Sequence, residues 1–437
     1  MPANLFLLAL LVVATLRVVL PDRDAELVKS VAEQEVVVRG RLYEDPDQGE
    51  DKTYRVRINN LMLCLDEENC VGAKANIFAT LRVSAVGSEG LERGDTIVIR
   101  GKLKSGFGAF SGTIYRAEVL AHSKSDPPDR FLIIRNWFSA GVEEHIPAPG
   151  SSLALGYLLG QKRALPMALL NVLAITGLTH IVVASGANLT IITRMLRRLF
   201  GKSRLRAFVM GVLAIGFMVG IIGLAPSLVR ASLVSILALT AWYVGRPVHP
   251  VRLILLAATT TLIINPTFIL DLGWQLSFAA FGGVLLLAPV LTRFFYGEAR
   301  PRALPQIAIE TISATIATLP ILLYNFGYVS LLSLIPNLLI LPTIPLAMLL
   351  AFLTGVFAQL GLVAVGGGLA AGFGGLATII LRYHIAVINF FGELDFAILK
   401  MEFSLAQTAV AYAVILALWL ALKFGTKTRL IETNVVE

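Results

Sequence analysis

Residues 177–190 read GLTHIVVASGANLT, and the placement of this stretch decides the architecture. It lies inside a long apolar run, yet it carries His180, Ser185, Asn188 and two threonines, with Gly186 between the polar residues where a helix can loosen. Polar groups at membrane depth are costly and face a bundle interior or a water-filled path. An interrupted backbone is tolerated there only where protein or water satisfies its N–H and C=O groups. A basic cluster follows directly: Arg194, Arg197, Arg198, Lys202, Arg204 and Arg206. The stretch points to something that crosses a membrane, or to chemistry done within one.

The composition outside this stretch agrees. The chain has 437 residues, 56% of them hydrophobic, with a mean hydropathy of +0.76, far above a soluble domain. The apolar residues are unevenly spread. Residues 21–130 are ordinary and polar, whereas 150–423 are dominated by Leu, Ile, Ala, Val and Gly. Residues 21–130 hold 16 Lys and Arg against 19 Asp and Glu, so the net charge of +8 comes from elsewhere. Much of that excess lies in short loops between apolar runs, as the positive-inside rule produces. The basic balance is thus read as topology rather than nucleic-acid affinity.

Residues 3–20 are long enough to span a bilayer, and Arg17 can snorkel to the interface. No A-x-A-like site follows, so a retained anchor is expected rather than a cleaved signal peptide. Five short segments rich in β-branched and aromatic residues come next: EVVVRGRLY, TYRVRINNLML, ANIFATLRVSAV, DTIVIRGKL and GTIYRAEVLA. Turn-formers separate them. Five strands in about 90 residues suit a small barrel such as an OB-fold. Cys64 and Cys70 flank its acidic LDEEN turn. They either close a small loop on an oxidising face or stand as two reduced thiols.

The expected fold class is an α-helical polytopic membrane protein of about ten spans, some broken, with an N-terminal external all-β OB-like domain. Its divisions are an anchor (1–22), the barrel (31–122), a linker with an interfacial amphipathic helix (123–150), the polytopic domain (151–425) and a cytoplasmic tail (426–437). The helix RFLIIRNWFSAGVEEHI places Trp137 and Phe138 at headgroup level. Basic loops at 194–206, 245–252, 292–302 and 423–429 are assigned to the cytoplasm, which puts both termini inside and residues 21–150 outside.

Few ionisable residues interrupt the apolar runs: His180, Arg230, Asp271 and Glu310, with Arg382 and His384 near a span end. An unpaired charge at that depth costs several kcal/mol. Arg230 is therefore expected to pair with Asp271 or Glu310, either beside a polar cavity or only to fix helix packing. Asn265-Pro266, and Asn337 among Pro336, Pro342 and Pro345, mark further broken segments whose carbonyls are released to line a path or merely to kink helices. The glycine-rich 366–375 stretch lacks the Lys-Ser/Thr of a phosphate loop and reads as close helix packing. No H-x-H-x-D, H-E-x-x-H or C-x-x-C pattern occurs, so neither metal nor cofactor is expected.

Together these motifs resemble the ComEC/Rec2 competence family, inner-membrane channels for DNA uptake. GDTIVIRGKL (94–103) and FGAFSGTIYRAEV (107–119) look like that family's external OB-type domain. LALGYLLG (153–160), GLTHIVVASGANLTII (177–192), LVRASL (228–233), INPTFILDLGWQLSFAA (264–280) and TLPILLYNFGYVSLLSLIPNLLILP (318–342) follow in the family's order. The hallmark departs from the usual SGLHV: Asn188 stands where histidine is common, and it cannot titrate near neutral pH. Many relatives carry a C-terminal β-lactamase-like domain, and the form expected here lacks it.

The resemblance implies a channel for imported single-stranded DNA in the cytoplasmic (inner) membrane. Its path would be lined by His180, Ser185, Asn188, Asp271, Gln275, Ser277 and Asn337. On the barrel, Arg55, Arg57, Lys102, Lys104, Phe107, Phe110, Tyr115 and Arg116 are the candidates for contacting phosphates and stacking bases. Phe107 and Phe110 alternatively cap the barrel core. The implied partners are single-stranded DNA, membrane lipid, an external DNA receptor, a cytoplasmic helicase or translocase, and a separate nuclease. The rival classes are a secondary transporter or exporter coupling ions through Arg230, Asp271 or Glu310, and an intramembrane hydrolase using His180 and Ser185.

Overall fold

The computed structural model describes residues 2–17, 23–48, 53–64, 70–73, 75–82, 90–108, 110–161, 165–182, 186–201, 203–223, 226–246, 250–299, 301–330, 332–360, 365–394 and 398–426. Helix α1 (Pro2–Leu16) and the short α2 (Arg23–Ser30) precede a sheet of seven strands: β1 (Glu35–Leu42), β2 (Asp47–Gln48), β3 (Thr53–Cys64), β4 (Cys70–Ala73), β5 (Ile77–Arg82), β6 (Thr96–Ser105) and β7 (Gly112–Ser123). The five long strands close on themselves. β1 pairs with β3, β3 with β5, β5 with β7, β7 with β6, and β6 returns to β1. Only the β5–β7 contact among these is parallel.

Alternation explains the closure, because every second side chain points inward. Val36 and Val38, Val56 and Ile58, Ile77, Ala79 and Leu81, Ile97 and Ile99, and Ile114 fill the interior almost without exposure. Val28 of α2 joins them at one end. The five expected strands are thus present, joined by the shorter β2 and β4, which the pattern did not single out.

Cys64 and Cys70 face each other across the β3–β4 pairing and are joined by a disulfide. A crosslink removes conformational entropy from the unfolded chain, modestly for a short loop. Reduction is expected to lower the barrel's unfolding free energy by about 2 kcal/mol, measurable as a shift in denaturation midpoint with and without reductant.

The remaining chain is helical: α3 (Arg130–His145), α4 (Gly150–Leu159), α5 (Met167–Ile175), α6 (Thr179–Val182), α7 (Gly186–Phe200), α8 (Arg204–Ile222), α9 (Pro226–Val244), α10 (Pro250–Ile264), α11 (Leu272–Gly282), α12 (Ala288–Tyr296) and α13 (Ala303–Phe326), then α14 (Leu334–Ile340), α15 (Ile344–Gln359), α16 (Val365–Gly392) and α17 (Leu405–Gly425). Strands β8 (Tyr328–Ser330) and β9 (Ile398–Lys400) form a small separate pair. Six helical stretches among the described residues are long and apolar enough to cross a membrane, and α14 with α15, bent by 47°, makes a seventh. α4 and most of α10 are apolar but shorter. The run at 166–193 is not one straight span. It is divided into α5, α6 and α7, with Gly177 at φ 71° in the first break.

Broken backbone is satisfied from neighbouring helices, as it must be in lipid. A π-helical turn, Gly283–Leu287, joins α11 to α12, and Trp419 Nε1 of α17 donates to the Leu286 carbonyl at 2.9 Å. Tyr412 donates to the Ala317 carbonyl at 2.9 Å, next to the turn that Pro320 disturbs in α13. The helical core gathers around α4, α15 and α16. α3 packs against it: Phe138 meets Phe352, while Trp137 stays half exposed.

Candidate functional site

The barrel meets the helical domain at the turn between α10 and α11. Asn265 caps a 3₁₀ turn, Pro266–Leu270, by accepting from Thr267 N at 3.0 Å. The chain then reverses, and Asp271 caps α11 by accepting from Trp274 N at 2.6 Å. Arg230, one turn into α9 and 3% exposed, reaches this turn. Its Nη2 donates to the Gly273 carbonyl at 2.6 Å, and Nη1 lies 3.7 Å from Asp271 Oδ1.

The structure therefore pairs Arg230 with Asp271. Glu310 instead accepts from Gln306 at 2.6 Å. Trp274 Nε1 donates to Thr261 Oγ1 at 3.0 Å, which fixes α11 to α10. Gln275 donates to the Ile269 carbonyl at 2.9 Å, bracing the turn. Ser277 is half-buried on α11.

The barrel sits on this turn. Gly108, at φ 57° in the β6–β7 loop, approaches so closely that a Cβ there would lie 3.1 Å from the Leu270 carbonyl oxygen. Beside it, Phe78, Phe107 and Phe110 form a mutual cluster with centroids 5.4–5.6 Å apart. Phe107 nevertheless remains 51% exposed, so these rings form a ledge at the barrel end. The β1–β3 loop faces the same region. Burial raises the pKa of the Tyr43 hydroxyl; Glu44 adds to the rise, Arg57 opposes it, and the charge of Asp271 contributes across the junction.

Two buried arginines hold the junction. Arg135 of α3 binds Asp45 of the barrel. Arg93 binds Asp129 at 3.1 Å and donates to the Gly220 carbonyl near the end of α8. The other end of α8, about 28 Å away by helical rise, adjoins Arg194, Arg197, Arg198, Arg204 and Arg206.

The other basic candidates on the barrel are not equally placed. Lys104 lies 5.8 Å over the exposed Tyr115 ring, next to Arg116. Arg55 is exposed on β3. Arg57 is engaged by Glu44 and by Asp47 at 3.5 Å. Lys102 lies 2.9 Å from Glu33, and its hydrogen bond and charge hold that carboxyl below the usual range.

A second polar locus lies at the Gly177 break. A Cβ on Gly177 would sit 2.8 Å from Ser333 Cβ and 3.4 Å from Ser330 Cβ, so the break packs against the entry to α14. Asn337, one turn beyond Ser333, is 3% exposed. Its Oδ1 and Ser330 Oγ lack hydrogen-bond partners among the described residues. The exposed His180 turns its Nδ1 toward the Gly177 carbonyl at 3.0 Å. Ser185 lies outside the described residues, and for Asn188 only the backbone, in α7, is described.

One buried network escaped the motifs. Tyr157 OH lies 3.2 Å from His384 Nδ1, and Thr343 Oγ1 lies 2.7 Å from His384 Nε2. Thr343 also donates to the Ile340 carbonyl at 2.9 Å. Its hydroxyl proton being spent there, Thr343 accepts from Nε2–H, which leaves Nδ1 to accept from Tyr157. The network ties α4 and α16 to the α14–α15 bend. Its only sequence signal was a histidine near a span end. Among the described residues no group of three or more His, Cys, Asp or Glu could hold a metal ion.

A family model described as Competence protein matches residues 157–425. Over 230 residues the chain is 26% identical to ComE operon protein 3 of Bacillus subtilis (strain 168), a match covering 52% of this chain and 29% of that protein. The chain thus spans less than a third of that relative's length, and the barrel lies outside the family match. No solved structure matches the chain.

Proposed function

The chain belongs to the Competence protein family, and from that premise we propose that it acts in DNA uptake, as the membrane channel that admits a single strand to the cytoplasm. The strongest support is the seating of the barrel on the helical domain. The β1-β3-β5-β7-β6 order with a parallel β5–β7 contact fits an OB-type barrel, a fold that binds oligonucleotides on one face and on the loops joining its first two and last two strands. The corresponding loops here carry Tyr43 and Gly108, and both approach the Arg230–Asp271 turn. A strand held on the ledge would lie beside the entry to the helices.

The membrane path runs, on this proposal, from Asp271, Gln275 and Ser277 toward His180, Ser185, Asn188 and Asn337. Phe107, Phe110, Lys104, Tyr115 and Arg116 make the external contacts, and Arg57 and Lys102 serve mainly their carboxylate partners. Ten crossings result if α1 and α10 each count as one, the broken α4–α7 as one, and α11–α12 and α14–α15 as one apiece. The barrel is external and both termini are cytoplasmic, because the basic residues adjoin the end of α8 opposite the barrel. Force and processing come from partners: an external DNA receptor, a cytoplasmic helicase or translocase, and a separate nuclease.

A clean deletion is expected to abolish transformation while DNA still reaches the cell surface. Normal transformation with ion-dependent flux of another solute would favour the transporter reading instead. Replacing Phe107 and Phe110 together by alanine is expected to weaken oligonucleotide binding by about tenfold or more, since each stacked base is worth about 1–3 kcal/mol. Full transformation by Asn188, Asp271 and Gln275 variants would remove those residues from the path.

A further inference from the structure

We propose that Arg230, beside the exposed Gly273, binds a backbone phosphate of the strand as it passes from barrel to helices, an inference that rests on the DNA-uptake reading. The guanidinium is almost fully buried, yet its Nε and Nη1 have no hydrogen-bond partner among the described residues. Asp271 balances the charge from 3.7 Å, beyond hydrogen-bonding reach, and commits the same oxygen to Trp274 N. Buried charged donors left unsatisfied are costly, so these N–H groups await an acceptor that no described residue supplies.

The surface beside Arg230 lacks a side chain at position 273. Gly273 is exposed, and a Cβ there would meet only Asp271 Oδ1 at 3.2 Å and Arg230 Nη2 at 3.7 Å within 4 Å. The first turn of the eleven-residue α11 faces the same place, and free N–H groups and the helix dipole favour an anion there. The position is also apt: Leu270, three residues before Gly273, carries the barrel through Gly108. A phosphodiester is singly charged, and its oxygens accept charge-assisted hydrogen bonds from guanidinium N–H groups. Anionic lipid headgroups share that chemistry, but the adjoining aromatic ledge favours the nucleic-acid source.

The test uses the full chain in phosphatidylcholine nanodiscs with a short fluorescent oligothymidylate. Arg230→Gln is expected to weaken binding at least tenfold. Gly273→Ala sets a methyl 3.2 Å from Asp271 Oδ1 and 3.7 Å from Arg230 Nη2 and should weaken binding severalfold while the melting temperature changes little, alanine's better helix propensity offsetting the tight contact. Asp271→Asn keeps an N-cap residue and removes the competing charge, so it should tighten binding severalfold, an outcome misfolding cannot mimic. An oligomer with neutral methylphosphonate linkages should not distinguish these variants from the unaltered chain.

Unchanged oligonucleotide binding in Arg230→Gln and Gly273→Ala overturns the proposal. So does an effect of equal size on the neutral oligomer, or a loss confined to phosphatidylglycerol retention measured by native mass spectrometry. If the Phe107/Phe110 variant loses binding while the Arg230 and Gly273 variants keep it, this site fails and the DNA-uptake reading stands. No binding by the unaltered chain overturns both.

Discussion

Arg135→Leu is expected to release the barrel from the helical domain at a cost of about 3–5 kcal/mol, the range for removing one partner of a buried ion pair. Arg135 is 3% exposed on α3. Both its Nη groups address the Asp45 carboxylate, Nη2 at 3.4 Å, and the remaining carboxylate would stay largely out of water. Asp45 also accepts from the backbone N of Arg93 at 3.1 Å, which places the effect toward the lower end. Lysine should rescue only in part, because an ammonium cannot reproduce the two-pronged contact. Adding Asp45→Asn to Arg135→Leu should recover part of the loss, since the uncompensated charge is then gone. The measurement is thermal unfolding together with proteolysis of the 123–129 linker. Unchanged melting and protection would show that the barrel is held elsewhere.

Gly283→Leu is expected to lower the melting temperature sharply, whereas Gly282→Ala, one residue earlier, should be neutral or slightly stabilising. A Cβ on Gly283 would overlap the Ser313 carbonyl oxygen and lie 2.9 Å from Ala317 Cβ, while one on Gly282 meets nothing within 4 Å. Overpacking of this kind costs about 1–3 kcal/mol or more, and here α11 and α13 would have to separate as whole helices. At Gly282 the substitution removes only glycine's helix penalty of about 0.5–1 kcal/mol. Comparing both variants in detergent by scanning fluorimetry decides the matter: equal melting temperatures would mean that the α11–α13 approach does not depend on this glycine.

Much of the architecture was legible without coordinates. The barrel strands follow from alternation, which is local, and the inward set from Val36 to Ile114 is the set that alternation names. The apolar runs announced the membrane domain for the same reason. A break within 177–190 was also legible, because glycine and polar residues weaken a helix wherever it lies: the expected loosening at Gly186 falls where α7 begins, whereas the break at Gly177, φ 71°, was not singled out. Helix lengths were less so: the 166–193 run is three pieces rather than one, since its unwinding is held by Ser330 and Ser333, more than 150 residues away in the chain.

The site divides in the same way. Sequence alone determined that Arg230, Asp271 and Glu310 needed partners, because a charge in an apolar run is costly whatever surrounds it. It also determined that Phe107 and Phe110 lay on a turn and that Cys64 and Cys70 bracketed one. Only the tertiary structure decided that Arg230 meets Asp271 while Glu310 keeps to its own helix, that Arg57 is occupied by carboxylates, and that His384 joins Tyr157, 227 residues away. The reason is physical. Periodicity and burial cost act on each residue where it stands, whereas the choice among possible partners is made by helix packing, and no residue carries that choice in its own chemistry.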